Sequence, residues 1–68
     1  MLTTKQREVI ETFWKVGRFR AEEIVMIYSS HEARVECLGR LSSLGIIEGD
    51  PETNNFIINR ERFLELEC

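Results

Sequence analysis

The sequence predicts a single small α+β domain: a three-helix core, a small antiparallel sheet and a short C-terminal helix. Three observations predict it. The 68 residues are 43% apolar and 31% charged, an ordinary globular balance. Apolar residues recur at helical spacing in segments that end at Gly17 and Gly45. Two β-branched runs, Ile46-Ile47-Glu48 and Phe56-Ile57-Ile58, flank a turn-forming stretch from Asp50 to Asn55. A chain this short buries only about 60% of the surface its unfolded form exposes. Its core therefore has few layers, and a deep substrate-enclosing pocket is not expected.

Each element has a local cause. Thr3-Thr4-Lys5-Gln6 fits a capping box, in which the Thr3 hydroxyl and the Gln6 side chain each cover an amide. Val9, Ile10, Phe13 and Trp14 then form one apolar face, and Glu11 and Lys15 are spaced for an i,i+4 ion pair. Gly17 is placed to cap this helix. Arg18-Phe19-Arg20 alternates and predicts a very short strand with both bases on one side. A second helix is expected from about Ala21 to Tyr28, with Ala21, Ile24, Val25 and Tyr28 inward. Ser29-Ser30-His31-Glu32 fits another capping box, with Glu32 at the third helical position. Cys37, Leu38, Leu41 and Leu44 continue this third helix on one face, and Gly45 closes it. The hairpin follows, and Asn59 is a good N-cap for a last helix bearing Phe63 and Leu66.

Composition narrows the function. The formal net charge is -3, from 9 basic and 12 acidic side chains. Lys5, Arg7, Lys15, Arg18 and Arg20 make the first third the basic end, whereas Glu48, Asp50 and Glu52 make the hairpin acidic. A domain-wide basic footprint of the kind that grips phosphate is missing. Cys37 and Cys68 make no disulfide framework and read as free thiols, so the expected location is cytoplasmic, with the nucleus as the alternative. The longest apolar run is Ile24 to Tyr28, far short of a membrane span. With one Asp and one His, no catalytic triad or zinc site can be assembled, so no enzyme activity and no cofactor are expected.

Leu38-Gly39-Arg40-Leu41-Ser42-Ser43-Leu44-Gly45-Ile46-Ile47 resembles the end of a winged-helix recognition helix running into the wing. Ala21-Glu22-Glu23-Ile24 is similar to the start of the preceding helix in such regulators. The resemblance, to the winged helix-turn-helix superfamily, covers about Thr3 to Ile58. It implies a three-helix core with a small antiparallel β-sheet as the wing. It also implies double-stranded DNA as partner, with the third helix in the major groove and the wing on the backbone. A minority of the superfamily docks proteins instead.

Two functions follow. The first is a DNA-binding module of a regulator or replication factor. Its contacts would come from His31, Arg34 and Arg40 on the helix-turn-helix, with Lys5, Arg18 and Arg20 supplying phosphate contacts. Arg34 shares a wheel angle with Leu38 and Leu41, so it either swings out or packs its stem and sends its head to water. The second is a protein-docking module, possible also as a homodimer, using Met26, Ile27, Glu36, Gly39 and the acidic wing. Two features favour it. The outer arc of the third helix, Glu32, Val35, Glu36, Gly39 and Ser43, holds two carboxylates and no base. Ile24 to Tyr28 is apolar all round, so Met26 or Ile27 faces outward unless something covers it. The wing tip at Glu52 is not expected to touch phosphate. Family habit favours DNA, and the charge pattern favours protein.

Overall fold

A computed structural model describes residues 2–50 and 55–67 of the chain. Among these residues the order is α1 (Thr4–Thr12), β1 (Arg18–Arg20), a 3-10 turn (Ala21–Ile24), α2 (His31–Ser43), β2 (Ile47–Asp50), β3 (Asn55–Ile58) and α3 (Arg60–Glu67). The three strands form one antiparallel sheet in the order β1-β3-β2. Phe19 of β1 and Gly49 of β2 both lie opposite Phe56 of β3. The fold is therefore α+β, with three α-helices and a small three-stranded sheet.

One core holds it together, and every element feeds it. Val9 and Ile10 come from α1, Phe19 from β1, Ile24 from the 3-10 turn and Leu41 from α2; with Ile46 and Ile47 they are almost wholly buried. Ile58 and Phe63 add β3 and α3. Phe19 stacks between Phe13 at 5.2 Å and Phe56 at 5.8 Å, which ties the end of α1 to the sheet.

The caps set the boundaries. Thr3 and Gln6 make the expected box, at 3.1 Å and 3.0 Å. Asn59 accepts from the Arg62 amide at 3.1 Å and starts α3, as its side chain suggested. Gly45, at φ 78°, closes α2 in a Schellman motif. Its amide donates to Ser42 and that of Ile46 to Leu41, while Leu41 and Ile46 meet in the core.

Four local expectations need correction. The first helix stops at Thr12, not at Gly17. The Thr12 hydroxyl donates back to the Glu8 carbonyl at 2.7 Å, and the following Phe13, Trp14 and Val16 are weak helix formers. Glu11 and Lys15 thus do not share a helix, and no ion pair among the described residues joins them. Ala21 to Tyr28 is not an α-helix. A 3-10 turn ends at Ile24, and only Ile24 of its apolar run is fully buried. The N-cap of α2 is Ser30, not Ser29, and its hydroxyl accepts from the Ala33 amide at 3.0 Å; Glu32 is then at the second helical position, one too early to complete the box.

Candidate functional site

The outward face of α2 is the candidate site. It is built from behind by Cys37, Leu38 and Leu41, which are buried and fix the rotation of the helix. Given that rotation, His31, Glu32, Val35, Glu36, Gly39, Arg40 and Ser43 all lie exposed. Helix α2 is 13 residues long, about 20 Å at 1.5 Å per residue. Val35 is 54% exposed, an apolar side chain standing between two carboxylates. A Cβ placed on Gly39 would meet nothing within 4 Å, so the rest of the molecule does not need a glycine there.

Arg34 does not belong to this face. It is half-buried, and its Nη1 donates to the Tyr28 and Ser29 carbonyls at 2.9 Å each. Its stem packs as its wheel angle implied, but the head serves the backbone ahead of α2 instead of reaching water. Arg60 and Arg62 do similar work. Arg60 donates to the Trp14 carbonyl at 2.6 Å beyond α1, and Arg62 to the Leu44 carbonyl at 2.9 Å at the end of α2. Each satisfies carbonyls that a chain ending a helical turn leaves orphaned.

The other basic candidates divide into two places. Lys5 sits with its Nζ 5.7 Å from the centre of the Tyr28 ring. Tyr28, Glu36 and Cys37 line a crevice of about 200 Å³ with Thr3, Gln6 and Ala33, so Lys5 stands beside the first half of α2. Arg18 and Arg20 point out from the far side of the sheet, opposite Ile57 and Asn55 of β3. No described contact brings them to α2. Arg20 lies 3.8 Å from Glu22, both well exposed, an ion pair of little energetic weight. Arg7 is committed to Glu67 through two bonds of 2.7 Å and 3.1 Å, which lift its guanidinium pKa above the ordinary value.

Among the partner candidates, Met26 is 81% exposed and Ile27 packs partly onto the core, which settles which of the two faces outward. The burial of Cys37 pushes its thiol pKa up, and the nearby Tyr28 hydroxyl offsets this only in part. Tyr28 is itself raised, chiefly by burial. The Glu52 expectation falls outside the described residues; Glu48 on β2 is exposed.

Sequence reasoning missed a second surface, an open groove of about 430 Å³ between α1 and α3, lined by Glu11, Trp14, Phe63 and Leu64. Its one signal was Leu64, an apolar residue outside the expected Phe63 and Leu66 face. Among the described residues no helix is long and apolar enough to cross a membrane. Comparison with family models, with curated proteins and with solved structures finds no match for this chain.

Proposed function

We propose that this chain is a winged-helix module without catalysis of its own, and that it docks double-stranded DNA through the outward face of α2. What supports the reading is the pairing of one topology with one exposed face. A helix held by its inner leucines runs directly into the β2–β3 strand pair, and β1, from ahead of that helix, completes the sheet in the order β1-β3-β2. A slender face with no side chain at Gly39 suits insertion into a groove. Arg40 and His31 lie at its two ends, and Lys5 stands beside it. Arg34 is withdrawn from the contact set, because taking it to phosphate would orphan two carbonyls. Arg18 and Arg20 supply longer-range attraction only.

With so few cations, binding is weak and its salt dependence shallow. Each phosphate contact adds about -0.9 to the slope of log affinity against log salt. Arg40, His31 and Lys5 together predict a slope no steeper than about -3. Titrating a labelled random duplex by anisotropy, from low to physiological salt, tests this. Arg40→Ala is expected to weaken binding and flatten the slope by about one. Failure to bind at low salt would remove the DNA reading.

A second reading, a protein-docking winged helix, is favoured by Val35 standing exposed between Glu32 and Glu36. A carboxylate accepts from cytosine but is repelled by phosphate, whereas a basic apolar partner would be attracted. Glu36→Lys separates the two. It raises duplex affinity if DNA sits on this face, and leaves the duplex titration unchanged if a protein does.

A further inference from the structure

The groove between α1 and α3 lies outside the α2 face and takes no part in the function proposed above. Leu64 forms one wall and is 52% exposed, while Trp14 and Phe63 form the floor with their rings 5.4 Å apart. What fills it can be read from the charges of α3. Arg60, Leu64 and Glu67 stand at i, i+4 and i+7, so at about 100° per residue they share one stripe. Along the helix the stripe runs basic, apolar, acidic. Such a stripe is complementary to itself when reversed. Laid antiparallel on a second copy, Arg60 of each meets Glu67 of the other, and the two Leu64 side chains meet across the axis and enter the grooves.

We infer that two copies of this chain associate through α3 as a two-fold symmetric dimer. Both ends of the stripe have bonding capacity left. Arg60 uses Nε and Nη2 on the Trp14 and Lys15 carbonyls, and no described contact uses its Nη1. Glu67 is paired with Arg7, but a carboxylate accepts more than two bonds, so an arginine from the partner extends the pair into a network. The helix dipole adds to this. Glu65 and Glu67 crowd the C-terminal end of α3, where carboxylates are disfavoured and an incoming cation is favoured.

Sedimentation equilibrium of the full chain under reducing conditions tests the dimer. The mass is expected to climb with concentration from 8.0 kDa towards twice that value. Leu64→Glu is expected to raise the dissociation constant roughly tenfold or more, the weight of one buried leucine, with an unchanged circular dichroism spectrum. Met26→Glu, an exposed residue outside the groove lining, is expected to leave it unchanged. A second measurement does not depend on that variant's folding. In a Cys68→Ser background, Leu64→Cys is expected to give a disulfide-linked dimer on mild oxidation, and Met26→Cys is not. A mass fixed at 8.0 kDa into the millimolar range would overturn the inference, as would a dimer indifferent to Leu64→Glu or no cross-link from Leu64→Cys. None of these outcomes bears on the duplex titration, so the two readings stand or fall separately.

Discussion

Arg34 shows how one side chain changes the meaning of a surface. From its spacing it belonged with the leucines of α2, and from its chemistry with a phosphate. Two carbonyls at 2.9 Å claim it instead. Arg34→Met keeps much of the stem and removes the donor. It is expected to destabilise the fold by about 1–2 kcal/mol, since hydrogen bonds from a charged donor carry about that weight. A urea midpoint checks this, and no loss would mean that water replaces the guanidinium freely. Gly39 makes the converse case. It is exposed and helical, and nothing lies near its missing Cβ, so Gly39→Ala is expected to stabilise by about 0.5–1 kcal/mol. If the α2 face docks a duplex closely there, the same change weakens binding. A variant both more stable and equally competent would show that the glycine serves no partner.

At the scale of elements, the glycines that matter to folding are those at positive φ. Gly45 holds the Schellman closure that turns α2 into β2, with φ at 78°. Gly45→Ala forces a side chain into the left-handed region and is expected to cost about 1–2 kcal/mol, read as a fall in melting temperature. Because the same glycine sets the angle between α2 and the hairpin, the proposed duplex reading predicts that any duplex binding falls with it. The segment after Arg20 teaches a different lesson. Its residues carry a helical pattern, yet Ile24 to Ile27 includes three β-branched side chains, and only one of them is buried fully. Without a wider face to bury, a 3-10 turn suffices, and Arg34 caps the backbone that follows it. The wheel argument for an all-round apolar helix thereby lapses, although Met26 remains exposed.

The whole molecule carries an alkaline weakness. Burial raises both Cys37 and Tyr28 above their ordinary pKa values, so the native state holds protons that the unfolded chain releases first. Stability from these groups is complete below the unfolded thiol pKa of about 8.5. It is lost as pH rises through the folded values. Urea midpoints are expected to be level from pH 7 to about 8 and to fall from about 8.5 upwards. Tyr28→Phe should remove the phenol's part of that fall. A midpoint that holds or rises to pH 10.5 would contradict the burial of these two groups. In the acid range the Arg7–Glu67 pair is the described link between α1 and the end of α3. It is exposed, so it orients the helices more than it stabilises them.

The sequence by itself determined the order of the elements apart from the expected second helix, the capping box at Thr3, the cap at Asn59, the closure at Gly45 and the inward leucines of α2. These depend on neighbours within one helical turn or one strand repeat, and such neighbours are printed in the chain. It also placed the acids on the outer face of α2, because a helix fixed by its buried side leaves only one side to solvent. Only the tertiary structure decided which bases remained for a partner. Arg60 and Arg62 reach carbonyls at separations of 46 and 18 residues, and Arg7 finds Glu67 across 60. No local pattern announces such pairings, since an arginine goes wherever folding brings an unsatisfied oxygen. The α1–α3 groove was hidden for the same reason: Trp14 and Leu64 lie far apart in the chain, and only the folded core sets them side by side.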